Sequence, residues 1–319
     1  MTWTELDDIL KSKQSFLLSS HVSLDGDCVG TQLAVYWYLN SIGKEVVIYN
    51  HDPLPHKFAF LKNADVLDTK HPQRRFDVFC ILDCSNPNRL GWKEHDAIAD
   101  TTINIDHHRD NTHFADHNIV DEKVAATAEL IYGFFVSESI DFPDYVAAAL
   151  YTAIMTDTGG FRFSNTNATV LRICADLADR GADCATIYQH AYDSHSSNGL
   201  LLWAKIWSTT RFYLNNQVCS MELPLSLIDE IGATYSDSEG IADRTVLARG
   251  VAVGMFIKHK KNETHFSLRS REVLDVGKIA QKIPGGGGHA SAAGCTIYKP
   301  LEEARREMLD IIAKELQSD

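Results

Sequence analysis

His21, Asp25 and Asp27 are spaced His-x-x-x-Asp-x-Asp in the stretch HVSLDGD. Asp83 closes the apolar run DVFCILD. Asp106, His107 and His108 close TTINIDHH, and Asp157 sits in MTDTGG behind another apolar run. Carboxylates and imidazoles that converge on one edge of a sheet suit a pair of divalent cations. Asp25 and Asp27 lie in a loop, where strand alternation does not apply, so both can face the same edge. Each piece alone is weak. By composition, His-x-x-x-Asp-x-Asp arises in about one chain in ten and Asp-His-His in roughly one in twenty. Alone, Asp25 or Asp27 reads as a turn residue or helix N-cap, His21 as a satisfied core histidine, and Asp83 as an Asx-turn at a strand end. The coincidence of four such groups, each behind an apolar run, favours the cation reading.

A second feature is Pro284 followed by four glycines, His289 and Ala290. Gly-Gly-Gly-Gly-His is expected in about one chain in five thousand. Four glycines cost backbone entropy. Their amides can approach a phosphate closely, with His289 as a further donor. A flexible loop is the ordinary alternative, although the small residues ASAAG (290–294) speak for tight packing. Arg269, in SLRSR, can make a bidentate phosphate contact or stand as a solvated strand arginine.

The elements that must position these residues follow from apolar periodicity. Strands are expected over 15–23, 45–50, 77–85 and 101–108, and helices over 30–44, 124–139 and 145–159. Alternating strands and helices predict a parallel sheet covered on both faces, with ligands beyond the carboxyl ends of its strands. From about residue 200 the pattern becomes α+β: a helix over 201–214, strands over 217–224, 245–259 and 264–270, then helices over 276–283 and 301–316. The expected organisation is a first domain over 1–188, a polar linker over 189–200 and a smaller second domain over 201–319.

Composition bounds the class. The chain has 319 residues, is 45% hydrophobic and 23% charged, and carries a formal net charge of −13. These are ordinary globular values, which exclude a disordered, collagen-like or coiled-coil chain. No apolar run approaches the roughly 18–20 residues of a membrane span, and the polar, acid-containing first residues do not read as a signal peptide. Seven scattered cysteines without a Cys-x-x-Cys pair suggest a reducing cytoplasm. The acidic balance argues against tight non-specific duplex binding but not against a small anionic substrate, because sites are local.

HVSLDGD, ILDCSNPNRLG, NIDHHRDN, TAIMTDTGGFRFSNT and GGGGHASAAG appear in this order. Together they resemble the motifs of the DHH phosphoesterase superfamily, subfamily 1. Within it they resemble the bifunctional oligoribonucleases that also act as 3′-phosphoadenosine 5′-phosphate (pAp) phosphatases. The resemblance covers about residues 15–296. It implies an α/β fold, with a parallel-sheet DHH domain joined by a linker to a smaller α+β DHH-associated C-terminal domain. It also implies two divalent cations, with Mn²⁺ favoured and Mg²⁺ a possible substitute. His21 and Asp25 would hold one, Asp27, His107 and Asp157 the other, and Asp83 would bridge. His108 would stand against the substrate phosphate, and Asp106 would orient the histidines. Arg269, Gly287, Gly288 and His289 would contact substrate. Arg109 and Arg89 can neutralise phosphoryl oxygens or be ordinary loop residues.

The implied activity is metal-dependent exonucleolytic hydrolysis of short single-stranded RNA, about two to five nucleotides long, releasing nucleoside monophosphates, and hydrolysis of pAp. No membrane is implied, and a homodimer is compatible. A finite cleft would favour very short oligonucleotides. Cyclic di-AMP or linear pApA is an alternative substrate. A non-catalytic nucleotide sensor is the alternative of another class, against which the complete ligand set argues. GGGGHASAAG argues against an inorganic pyrophosphatase of the same superfamily. The chain also has no room for the added nucleic-acid-binding domain of a long-substrate exonuclease.

Overall fold

The structure, a computed structural model, describes residues 1–92, 98–271, 274–288 and 290–317. The chain divides into two compact units, Met1–Ser194 and His195–Asp319. The first contains α1 (Trp3–Ser12), β1 (Ser15–Ser19), α2 (Gly26–Ser41), β2 (Glu45–Tyr49), β3 (Leu67–Asp68), β4 (Phe76–Leu82), β5 (Ala99–Asp106), β6 (His117–Val120), α3 (Thr127–Ser137), α4 (Asp144–Asp157), α5 (Ala168–Asp179) and α6 (Cys184–Tyr192). The second contains α7 (Ser197–Ser208), β7 (Arg211–Tyr213), β8 (Val218–Pro224), α8 (Ser226–Ile231), α9 (Ile241–Arg244), β9 (Val253–Lys260), β10 (Glu263–Ser270), α10 (Val276–Gln281), β11 (Gly287–Gly288), β12 (Ala292–Ile297) and α11 (Leu301–Leu316).

The first sheet is parallel throughout, in the order β3-β2-β1-β4-β5-β6. Its central strands β1 and β4 and the end of β5 are buried on both faces, which explains their continuous apolar runs. Phe16 and Leu18 of β1 pack with Val78, Cys80, Ile103 and the helices α1–α4. Leu17, pointing the other way, packs with Phe79, Ile81 and Tyr49. The chain leaves β1 for β2 on one side and returns to β4 on the other. That switch point opens a crevice at the carboxyl ends of β1 and β4, where His21 and Asp83 lie.

Helix α2 crosses α4 closely. A Cβ on Gly30 would sit 2.2 Å from the Ala149 carbonyl oxygen, and one on Gly26 2.1 Å from Thr156 Oγ1. This approach carries the start of α2, with Asp25 and Asp27, to the end of α4, with Asp157. Gly30→Ala is therefore expected to destabilise the protein by about 1–3 kcal/mol through overpacking against backbone. Urea unfolding read by circular dichroism checks this, and an unchanged midpoint would count against the close crossing.

The second unit holds a mixed sheet in the order β11-β12-β10-β9-β8-β7, in which only the β8–β9 pair is parallel. Met255, Phe266, Leu268 and Cys295 pack against α10 and α11 on one face. Met221 and Phe256 pack against α7 and α9 on the other. The fold class is the expected one, a parallel α/β sheet followed by a smaller α+β unit.

Several boundaries differ from expectation. Helix α2 starts at Gly26 rather than 30, because Asp25 is its N-cap and accepts from the Cys28 amide. The division between the units, after Ser194, falls within 189–200, but the connection is shorter than that span: helix α6 runs to Tyr192 and α7 opens at Ser197, capped by Ser196, so only residues 193–196 lie outside the helices. Residues 211–213 form a strand, not the end of a helix. The strand expected over 245–259 begins only at Val253. Ahead of it the chain turns at Gly250 (φ 84°), and Gly254 lets Thr245 pack against the strand. Among the described residues no helix is long and apolar enough to cross a membrane.

Candidate metal centre

The carboxyl ends of β1, β4 and β5, the start of α2 and the end of α4 bring His21, Asp25, Asp27, Asp83, His107, His108 and Asp157 together. Ligand atoms of His21, Asp25, Cys28 and Asp83 form one group within 4.8 Å of one another, those of Asp27, His107 and Asp157 a second, and those of Asp83, His107 and His108 a third. Asp83 is shared. Its Oδ2 lies 3.6 Å from His21 Nε2, and its Oδ1 lies 3.6 Å from His107 Nε2. A carboxylate with one oxygen toward each side has the placement of a bridge. The Asp83 backbone is left-handed (φ 56°), uncommon for a non-glycine residue; this turn lets a strand-end side chain face back into the crevice.

Backbone geometry and buried partners orient each ligand. His21 Nδ1 lies 2.7 Å from the Val22 carbonyl. Donation there leaves Nε2 with its lone pair toward Asp25 and Asp83, the tautomer a cation requires. Asp27 is held by the start of α3. Its Oδ2 accepts from the Thr127 amide (2.6 Å), and its Oδ1 accepts from the Ala128 amide (3.0 Å) and Thr31 Oγ1 (2.9 Å). Thr127 Oγ1 donates to Asp83 Oδ1 at 3.1 Å. Asn50 accepts from the Ser20 amide and donates to Gln32, which donates to the Cys28 carbonyl.

His107 Nε2 is 3.1 Å from Asp157 Oδ2 and 3.9 Å from Asp27 Oδ2. His108 keeps Asp83 within reach, Nδ1 to Oδ1 3.5 Å, but is held more closely elsewhere. Its Nδ1 is 2.7 Å from Asp106 Oδ1, and Arg89 Nη1 lies 3.2 Å from its Nε2. Asn111 donates to Asp106 Oδ2 at 2.6 Å and to Asn104 Oδ1 at 2.8 Å, so a buried amide chain fixes Asp106 and through it His108. Arg109 is exposed in the following turn.

Electrostatics follow from this crowding. Burial and the neighbouring Asp83 and Asp157 charges push the Asp27 carboxyl well above the usual range. Burial pushes Asp157 up to about 6, against the lowering effect of His107. Burial alone would lower His21 and His107, but their carboxylate partners outweigh it and raise them to about 9 and about 11. His108 moves up against burial through Asp106 and Asp83, while its bond to Asp106 holds that carboxyl down despite burial. Protons thus gather where cations would otherwise offset the carboxylates, and the oxygen and nitrogen donor set fits divalent cations.

The sign of the pH dependence is fixed by these directions. Groups raised in the folded state lose their stabilising contribution as pH rises. For Asp157 the loss runs from 3.8 to about 6, and for His21 from 6.5 to about 9. The lowered Asp106 contributes stability that is present above 3.8, the ordinary aspartate value, and is lost only as pH falls below it. Bound cations displace these protons, so their stabilisation grows with pH. The rise in Tm on adding Mn²⁺ is expected to increase steadily from pH 6 to pH 9 in scanning fluorimetry; a flat or falling increment would contradict it.

In the second unit, Arg269 Nε donates to Asp243 Oδ1 at 2.6 Å and its Nη1 to the Leu268 carbonyl, so part of this guanidinium is already engaged. Gly287 and Gly288 form β11 and pair with Gly294 and Ala293. The glycine run has distinct local reasons. A Cβ on Gly286 would meet the Ala280 carbonyl at 2.2 Å, and one on Gly288 (φ 141°) would meet Ala293 Cα at 2.5 Å. Gly287 meets nothing within 4 Å. It lines a cavity of about 540 Å³ with His265, Thr296 and Tyr298, so there the bare backbone faces open space. His289 lies outside the described residues. Cys28, Thr31, Thr127, Ala128, Asn104 and Asn111 join the site without having been expected from sequence. Only the cap spacing of Asp25 and the Asn in DHHRDN carried a signal.

Residues 15–154 match the model of the DHH family, N-terminal domain, and residues 215–318 match the DHHA1 domain. The chain belongs to the DHH family. It is 30% identical over 312 residues to the bifunctional oligoribonuclease and PAP phosphatase NrnA of Thermus thermophilus, covering 97% of this chain and 93% of that one. It is 23% identical to the protein of the same description from Bacillus subtilis, covering 97% of each. The crystal structure of an exopolyphosphatase-related protein from Bacteroides fragilis superposes with a TM-score of 0.91 at 25% identity, covering 99% of this chain and 95% of that one.

Proposed function

We propose that this protein is a hydrolase that cleaves phosphoester bonds in very short oligoribonucleotides, releasing nucleoside monophosphates, and in pAp. The observation that carries the reading is the shared Asp83, with His21 and Asp25 on one side and His107, Asp27 and Asp157 on the other, in a chain aligned along its length with relatives described as acting on these substrates. His21, Asp25 and Asp83 would hold one divalent cation, and Asp27, Asp83, His107 and Asp157 the second, Mn²⁺ before Mg²⁺. When bound, such a pair supplies positive charge at the phosphoryl oxygens and a water of lowered pKa.

The protein's own residues do the rest. Asp106 keeps a proton on His108 Nδ1 and fixes the ring. His108 and Arg89 face the phosphate and offset the charge that grows on its oxygens in the transition state. Arg109, exposed beside them, adds a cation at the mouth. Arg269, Gly287, Gly288 and His289 contact the nucleotide, with the open backbone at Gly287 admitting a close approach. The Bacteroides fragilis relative's description favours inorganic polyphosphate as a second reading.

The test is product release with Mn²⁺ from pAp, a diribonucleotide, a twenty-mer, cyclic di-AMP, pyrophosphate and polyphosphate. Fast turnover of the dimer and pAp with little on the twenty-mer is expected. Equal rates per end on dimer and twenty-mer would remove the short-substrate preference. Turnover of cyclic di-AMP or polyphosphate alone would replace the substrate, and metal binding without any turnover would favour a nucleotide sensor.

A further inference from the structure

Cys28 enters no part of the reading above, yet its completely buried side chain, which sits at the edge of a core cluster with Leu24 and Val29, brings its sulfur to the metal centre. Sγ lies 3.3 Å from Asp83 Oδ2, and Ser20 Oγ donates to Sγ at 2.8 Å. His21 Nε2 is 3.6 Å from both Asp25 Oδ2 and Asp83 Oδ2. These separations have the scale of edges of a single coordination polyhedron. Metal–nitrogen and metal–oxygen bonds near 2.1 Å give tetrahedral edges of about 3.4 Å, and a metal–sulfur bond near 2.3 Å gives about 3.6 Å to oxygen. The group of Asp27, His107 and Asp157 contains no sulfur, and among the described residues no other cysteine joins a group of potential ligands.

We propose that Cys28 is a fourth ligand at the cation position formed by His21, Asp25 and Asp83, so that this half of the centre takes thiophilic divalent cations such as Zn²⁺, Co²⁺ and Cd²⁺ with sulfur coordination. The neighbouring position keeps oxygen and nitrogen donors only. The two halves of one centre then differ in metal preference, because soft sulfur donors select zinc-like ions over manganese. On binding, the metal–sulfur bond forms, the S–H bond breaks and the proton leaves to solvent. The Ser20 hydroxyl stays aimed at the sulfur and supports its negative charge. The inference rests on the metal reading above but not on any substrate.

The experiment is titration of the full chain, stripped of metal, with Co²⁺. Visible d–d absorption intensified above that of aqueous cobalt, with equilibrium dialysis, reports that cobalt is bound, and near-ultraviolet sulfur-to-cobalt charge transfer reports the ligand. Wild type is expected to show the charge-transfer band with the first equivalent. Cys28→Ser is expected to lose that band, keep d–d absorption, and prefer Zn²⁺ over Mn²⁺ at least tenfold less strongly. Bound cobalt without the band in wild type, or an unchanged band in Cys28→Ser, overturns the proposal and leaves the metal reading standing. Absence of bound cobalt in equilibrium dialysis overturns both. If Cys28→Ser does not fold, ¹¹³Cd NMR of wild type decides, since a sulfur ligand moves the cadmium resonance strongly downfield and an oxygen–nitrogen shift refutes the proposal.

Discussion

Asp83→Asn is expected to lower Mn²⁺-dependent hydrolysis by about a thousandfold or more, roughly 4 kcal/mol of transition-state stabilisation. Asparagine keeps the volume, so the core around β4 is spared and the change is one of charge and donor type. Asp83 has an oxygen toward each half of the centre, so losing its charge weakens both cation positions, whereas Asp25 or Asp157 serves one. The left-handed backbone at this position tolerates asparagine as readily as aspartate. The amide nitrogen cannot accept from Thr127 Oγ1 or Cys28 Sγ, so one of these donors is left without its partner. The expected result is fewer than two bound Mn²⁺ per chain by elemental analysis together with the rate loss. Two retained ions and near-wild-type turnover would remove Asp83 from the role of bridge.

His108→Ala is expected to lower kcat by about 10²–10³-fold, the usual cost of removing one donor that acts on developing charge, with two Mn²⁺ still bound. The separation of effects follows from geometry. His107 faces Asp27, Asp83 and Asp157, while the adjacent ring engages Asp106 and Arg89. Consecutive residues leaving β5 take different tasks because Asp106, anchored by Asn111 and Asn104, holds the His108 ring at 2.7 Å, closer than the 3.5 Å that separates it from Asp83. Rate measurements with saturating Mn²⁺ and metal analysis on the same sample check this. A variant that loses a cation instead of rate would make His108 a ligand. Asp106→Asn should give a smaller loss in the same direction, since it loosens the ring without removing it.

The chemistry-bearing residues were legible in the linear chain because each sits directly behind an apolar run, and a parallel strand presents such a residue at its carboxyl end. The α/β class was legible for the same reason: strands buried on both faces read as unbroken apolar segments, and the helices between them carry their own period. Both are properties of neighbours in sequence. What only the tertiary structure decided lies in approaches across long separations. The amides of Thr127 and Ala128 reach Asp27 from 100 and 101 residues away. The close crossing at Gly30 brings Asp157 to the same edge, and Asp243 engages Arg269. In the sequence Cys28 is one of seven scattered cysteines, ahead of the helix expected over 30–44. Its sulfur faces Asp83 because Asp25 caps the helix at that point and sets the rotation of its first turn, and no spacing along the chain records where a helix face will point until the strand beside it is in place.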